Sequence, residues 1–211
     1  MVYYRGLILI PVRRPSWLGR SSHLLFEYLP LGDLASFLSH HRPDGASASD
    51  VLAVLLQLLS ALEYIHARDV THGDVKPTNV LVAHADPLVV KLSDFGTARR
   101  GPSAGYPACT LYYLAPEVVR GETYGCAIDV WALGVTATEL LTAGGLPTHR
   151  YESVGLQGWA DAMVRFCVDS VPSESGLRRS LFQVILLDIL VDNQRRRSTA
   201  RECLQALAPL R

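Results

Sequence analysis

The sequence predicts a mainly α fold of the α+β class, and three observations carry that prediction. Long apolar stretches of helical length stand at Val51 to Arg68, Asp129 to Ala143 and Leu181 to Leu190. Two short β-branched runs, Val80-Leu81-Val82 and Leu88-Val89-Val90, have the length of paired strands and lie between two polar clusters, HGDVKPTN from His72 and SDFG from Ser93. At 211 residues, 49% hydrophobic and 19% charged, with a mean hydropathy of +0.17, the chain can bury one sizeable core.

Taken in order, Leu7 to Val12 and His23 to Tyr28 read as two strands joined by the loop RRPSWLGRSS. Pro30 and Gly32 break the second strand, and Asp33 is a good N-cap for a helix from about Leu34. Residues 43 to 49, PDGASAS, form a loop, after which Ser49 or Asp50 caps the helix Val51 to Arg68. That helix is apolar almost all round, with Gln57, Ser60, Glu63 and Arg68 as the exceptions, so it belongs inside a helical lobe. His66 reads as a packing or capping residue rather than a ligand, and His72 as holding its loop by packing and hydrogen bonding.

The two β-branched runs predict an antiparallel hairpin with its turn near His84 to Pro87. Such a hairpin brings its outer ends together, and with them Asp74, Lys76, Asn79 and Asp94. After Gly96 the Gly-, Pro- and Ser-rich run Thr97 to Leu114 reads as a surface loop. The helix Asp129 to Ala143 places Asp129 near its positive end and is stopped by Gly144-Gly145 with Pro147. Residues 148 to 180 read as irregular, with one helix around Trp159 to Val168 and a polar loop SVPSESGLRRS, before the apolar helix Leu181 to Leu190.

Formal net charge is zero, so no global field draws the chain to nucleic acid or to an anionic membrane, and neither is expected as a partner. Arginine clusters at Arg13-Arg14, Arg99-Arg100, Arg178-Arg179 and Arg195 to Arg197 are not interleaved with aromatics and read as solvated faces. The apolar run near the N-terminus is too short to span a membrane. Four cysteines, Cys109, Cys126, Cys167 and Cys203, lack metal-ligand spacing, which fits free thiols in a reducing intracellular compartment, the cytoplasm.

An acid, a cation, an amide and a second acid are the groups that phosphoryl transfer requires. One carboxylate positions a hydroxyl and takes its proton, a second carboxylate and an amide oxygen suit Mg²⁺, and the lysine neutralises charge on the moving group. HGDVKPTN followed by DFG resembles the catalytic and metal-binding loops of the eukaryotic protein kinases, and CTLYYLAPE (Cys109 to Glu117) followed by DVWALG (Asp129 to Gly134) resembles segments that those kinases carry in the same order. The implied fold is a kinase-like large lobe with a short β remnant of the small lobe: residues 1–29 as residual small-lobe strands and hinge, residues 30–211 as the helical large lobe.

On that resemblance Asp74 is the catalytic base, Lys76 the phosphate-contacting lysine, and Asn79 and Asp94 the Mg²⁺ ligands. Phe26 is the gatekeeper beside adenine, the backbones of Glu27 and Leu29 meet the base, Asp33 meets the ribose and Leu81 forms the floor under adenine. Thr110 sits where serine/threonine kinases place a threonine that bonds the base and the lysine, and Lys76 two residues after Asp74 implies the same class. Asp129 ties to the backbone of the catalytic loop, and Arg197 forms a buried ion pair with Glu117. Ser103, Tyr106 and Thr110 are candidate phosphosites in the activation segment.

Two departures qualify the match. Gly73 stands where kinases usually have an arginine that pairs with a phosphorylated activation loop, so no dependence on that pairing is expected. Cys109 replaces a glycine before Thr110, which alters the expected backbone shape there. HGD with an asparagine five residues on is also the loop of small-molecule kinases of the aminoglycoside and choline type, which lack the downstream APE and DVWALG segments.

No Gly-rich phosphate cover precedes the match, and lysine occurs only at Lys76 and Lys91, so the sequence as given carries half an ATP site. The implied function is a partial serine/threonine protein kinase that uses ATP and Mg²⁺ on a protein substrate. The alternative is an inactive relative that serves as scaffold or allosteric partner, with a partner or a second copy covering the incomplete small lobe.

Overall fold

The computed structural model describes residues 8–11, 22–25, 27–42, 45–105, 110–143, 146, 148–170 and 175–210. Strands β1 (Ile8–Pro11) and β2 (Ser22–Leu25) pair antiparallel, Ile8 opposite Leu25. The second strand is shorter than the sequence predicts: residues 27–29 have left the ladder, because the turn at Pro30–Leu31 closes with Gly32 N–H donating to the Leu29 carbonyl at 3.2 Å. Helix α1 (Leu34–His41) starts at Asp33 as predicted, with Ser36 donating to its carboxylate through N–H at 2.9 Å and Oγ at 2.8 Å.

Helix α2 (Ala48–His66) begins earlier and ends earlier than its apolar run suggests. Ser47 is the cap, and a reciprocal box decides it: Asp50 N–H donates to Ser47 Oγ at 3.0 Å while Ser47 N–H donates to Asp50 Oδ2 at 3.2 Å. By length and apolarity alone α2 would suffice to cross a membrane, but Val51, Leu55, Leu58, Leu59 and Leu62 are buried in the core and the helix packs on α4, α7 and β5. Its polar exception Gln57 closes the hairpin edge. The Gln57 side chain donates to the Leu88 carbonyl and accepts from Val90 N–H, both at 3.0 Å, as a neighbouring strand would.

Strand β3 (Val70–Thr71) pairs with β6 (Arg99–Arg100), and β4 (Val80–Ala85) pairs with β5 (Leu88–Leu92) in the predicted hairpin. Val80, Val82, Val90 and Leu92 point into the core while Leu81 and Lys91 share the other face. After the single turn α3 (Pro116–Val119), helix α4 (Ala127–Leu141) is buried nearly all round and forms the axis of the molecule. Its bounds fall two residues earlier at each end than predicted. Ala143, at φ 52°, ends the helical path, and the glycines and proline expected to stop it lie outside the described residues. A Cβ on Gly134 would meet Ile189 Cγ2 at 2.6 Å, so only glycine lets α4 and the following helices approach this closely.

The helix expected around Trp159 to Val168 is present, and the stretch read as irregular around it is largely helical too. Helix α5 (Thr148–Ser170) is broken at Gly155, where φ is 65°, and α6 (Gly176–Val184) starts inside the presumed polar loop and runs on as a π turn, Ile185–Ile189. Trp159, Met163 and Cys167 recur every fourth residue and are fully buried, so tertiary packing selects the helix where composition did not. Among the described cysteines Cys126, Cys167 and Cys203 are free, and burial pushes the Cys167 and Cys203 thiols up to about 11 and about 12.

Helix α7 (Ala200–Leu207), capped by Thr199 with Glu202, closes the chain against α2. Just before it, Arg197 donates to both oxygens of Glu117, at 2.7 and 2.9 Å, and to the carbonyls of Val191 and Ala127, each at 2.9 Å. Both partners are buried, so neither charge has water to fall back on. Replacing Glu117 with alanine strands the guanidinium and should cost about 3–5 kcal/mol in guanidinium-chloride unfolding; a loss below about 1 kcal/mol, as for a surface pair, would contradict that reading.

Candidate active site

The site is built on one carboxylate. Asp129, in the first turn of α4 and 1% exposed, accepts from His72 N–H and Gly73 N–H, both at 2.8 Å, and from His66 Nε2 at 2.8 Å. Three donors offset the cost of burying the charge and fix the start of the HGD loop. His66 therefore acts as a tether from α2, which the packing role read from sequence covers only in part.

Gly73 has φ 84°, and a Cβ there would lie 3.3 Å from the Thr97 carbonyl oxygen. The residue that replaces the usual arginine thus occupies a left-handed backbone in tight contact with the segment after DFG. Thr97 Oγ1 completes that contact by donating to the His72 carbonyl at 2.8 Å.

His72 is buried and joins the two polar loops. Its Nδ1 accepts from Asp74 N–H at 3.3 Å, which leaves Nε2 as the donor to the Ser93 carbonyl at 2.9 Å, and its ring meets Phe95 edge-on at 4.8 Å. This is the packing and hydrogen-bonding role read from the sequence, and it orients Asp74.

Three side chains bond around Asp74. Lys76 Nζ lies 2.7 Å from Asp74 Oδ2 and donates to Thr110 Oγ1 at 2.7 Å. Asn79 donates through Nδ2 to Asp74 Oδ2 at 2.8 Å and to its carbonyl at 2.7 Å. Thr110 closes the ring, its N–H and Oγ1 lying 3.3 and 3.4 Å from Asp74 Oδ1. With its NH₂ turned to Asp74, Asn79 presents its side-chain Oδ1 as a hard oxygen.

Asp94 is outside that bonded ring. It stands exposed at φ 55°, with Gly96 N–H donating to its Oδ1 at 3.2 Å. It is brought near through Ser93, whose N–H and Oγ both donate to the Asn79 carbonyl at 2.8 Å. Hard oxygens from Asp94 and Asn79 suit Mg²⁺ bound together with phosphate oxygens. Among the described residues no three His, Cys, Asp or Glu side chains form a metal cluster.

The residues expected around a nucleotide base lie along one edge of the hairpin. Leu81 is partly buried, and Asp33 bridges to it, with Val82 N–H donating to the Gly32 carbonyl at 2.9 Å. Glu27 is ion-paired to Lys91, the residue opposite Leu81. Asp33 already serves as the α1 cap, so a ribose contact would share its carboxylate with Ser36. Phe26, Tyr106 and Cys109 fall outside the described residues.

Sequence reasoning missed a second carboxylate. Tyr113 Oη donates to Glu139 Oε2 at 2.5 Å, at the edge of a cavity of about 340 Å³ lined by Leu38, Arg42, Pro77 and Leu140. The signal was present, since Glu139 is the only charged residue after Asp129 in an apolar helix. Burial raises the Tyr113 hydroxyl well above the ordinary range, Glu139 adding to it. Burial also raises the Glu139 carboxyl, against the pull of the Tyr113 bond.

A carboxyl raised on folding stabilises the protein below its unfolded pKa, and that contribution is lost as pH climbs through the folded value. The Glu139→Gln protein keeps an acceptor for Tyr113 without the buried charge. Its stability relative to wild type should improve as pH climbs through and above the ordinary carboxylate range, read by thermal unfolding. A difference independent of pH would contradict the assignment.

Comparison with known proteins shows the family to which most of the chain belongs. The protein kinase domain family matches residues 16–207. The chain is 33% identical over 156 residues to the serine/threonine-protein kinase RAD53 of Saccharomyces cerevisiae, covering 64% of this chain and 19% of that protein. It is 40% identical over 135 residues to the Aurora kinase of the same yeast, covering 62% and 35%. It is 37% identical over 136 residues to the human cyclin-dependent kinase-like 5, covering 62% and 14%. The match thus spans between 14% and 35% of these relatives' lengths. With the matched region covering most of the chain, and with HGDVKPTN, DFG, APE and DVWALG falling inside it, the chain belongs to the protein kinase domain family.

Proposed function

We propose that this protein transfers the γ-phosphoryl group of ATP to a serine or threonine hydroxyl of a protein substrate. The observation that carries the reading is the bonded triangle of Asp74, Lys76 and Thr110 with Asn79 attached to Asp74, on a loop held by Asp129. Asp74 orients the incoming hydroxyl and takes its proton as the new P–O bond forms and the bond from the γ-phosphorus to the ADP oxygen breaks. Lys76 stands beside Asp74 and offsets negative charge on the moving group. The bond from Lys76 to Thr110 ties the substrate-facing segment to the same point and supports a serine or threonine acceptor.

Asn79 and Asp94 would hold Mg²⁺, which neutralises the phosphate oxygens. Leu81 would support the base from below, with the backbones of Glu27 and Leu29 on its edge and Asp33 towards the ribose. Lys91 is engaged by Glu27, so a second phosphate-directed lysine is not supplied by these 211 residues.

The test is transfer of labelled phosphate from ATP with Mg²⁺ to serine- and threonine-containing peptides by the full-length natural protein. Wild type should form phosphoserine or phosphothreonine, and Asp74→Asn and Asp94→Asn should each slow transfer at least about 100-fold with the fold intact. No transfer by the wild type, or transfer retained in either variant, would overturn the proposal; Mg²⁺-ATP binding without transfer would leave the scaffold reading.

A further inference from the structure

Arg99 sits at a junction of three segments. In the β3–β6 ladder it lies opposite Thr71, the residue before His72. Its Nη1 donates to Ser103 Oγ at 2.9 Å and reaches the Tyr124 hydroxyl at 3.4 Å, and its Nε points to the Thr97 carbonyl at 3.5 Å. Ser103 and Tyr124 also exchange both backbone bonds, each at 2.8 Å, although 21 residues of sequence, including the whole APE segment, separate them. Tyr124 is 2% exposed, so this is a packed junction and not a surface contact. On the other side Gly101 N–H donates to the Asp69 carbonyl at 2.9 Å.

We propose that Arg99, Ser103 and Tyr124 form a clasp that positions Asp74 by locking the front of the 97–117 segment to the strand entering the catalytic loop. Arg99 is a positioning residue in this scheme: it touches no reacting group and acts through Thr71, Thr97 and His72. A charged donor bonded to two hydroxyls in a partly buried setting is stronger than a neutral contact, so unmodified serine suffices as its partner. Gly73 offers no side chain to do this from the catalytic loop, and its φ of 84° against Thr97 makes any side chain there strained. The clasp therefore holds the front of the segment without a phosphate, while Thr110 holds the back through Asp74 and Lys76. This rests on the phosphoryl-transfer reading of Asp74, but its test does not require transfer.

The experiment is residue-resolved amide hydrogen exchange on the full chain, with and without phosphatase treatment. Arg99→Met should speed exchange at Ser103, Tyr124 and Asp74 at least about tenfold while the amides of the α4 core stay unchanged. Arg99→Lys, which keeps a charged donor, should return these rates to within about threefold of wild type. Tyr124→Phe and Ser103→Ala should fall between.

Exchange unchanged in Arg99→Met, or faster only over residues 99–105 without reaching Asp74, would overturn the clasp. So would an equal rise throughout α4, which marks general destabilisation. Loss of protection on phosphatase treatment of the wild type would also overturn it, since a phosphate and not the hydroxyl would then be the partner. Loss of phosphoryl transfer alone, with these rates as predicted, would count against the proposed function and leave the clasp standing.

Discussion

The structure depends on a buried carboxylate. Asp129 lies in the first turn of a helix apolar on nearly every face, where an unpaired charge would be prohibitive, and it is tolerated because three donors from two other segments converge on it. The same bonds fix two successive backbone N–H groups of the HGD loop. A loop that carries reacting groups has few apolar contacts of its own, so its shape has to be imposed by the scaffold beneath it. Here the scaffold is α4, and the helix end supplies a favourable potential as well as a location.

Constraint passes from Asp129 in both directions along the chain. Towards the reacting groups it runs through His72, whose two ring nitrogens join Asp74 to Ser93, and so couples the acid of one loop to the metal-binding candidate of the next. In the other direction it runs two residues back to Ala127, the first residue of α4, whose carbonyl accepts from Arg197, the partner of Glu117. That pair pins α3 to the residues leading into α7. The segment between Asp94 and Glu117 is thereby held by residues lying far away in sequence, by Asp74 and Lys76 at Thr110 and by Arg197 at Glu117.

What was legible in the sequence was what local chemistry dictates. The hairpin follows from two β-branched runs and a turn, α1 from Asp33 at its start, and the placing of Asp74, Lys76 and Asn79 from a short motif whose residues are neighbours in the chain. Pairs such as Arg197 with Glu117 came from resemblance, since no periodicity connects residues 80 apart. The α2 cap was misplaced because Ser47, Ser49 and Asp50 are all competent caps, and only the reciprocal box selects Ser47.

In α5 the helix expected around Trp159 to Val168 is present, with Trp159, Met163 and Cys167 on its buried face, but its extension back to Thr148 was missed; α6 was missed where it starts in a run of serines and arginines. Glu139 and the Arg99 clasp depend on partners 26 and 25 residues away. Glu139 stands out locally as a lone charge in an apolar helix, but no local window marks Tyr113 as its partner or Tyr124 as the partner of Arg99.

On the proposed function, Asn79 and Asp94 would hold one divalent cation together with the phosphates of a nucleotide beside Asp74. The most direct measurement is paramagnetic broadening of backbone amide signals on adding Mn²⁺ with a non-hydrolysable ATP analogue. The account predicts that signals of residues 74–79 and 93–96 broaden first and together, and that Asp94→Asn abolishes the effect at both loops. Broadening at one loop without the other, or centred elsewhere in the molecule, would contradict it.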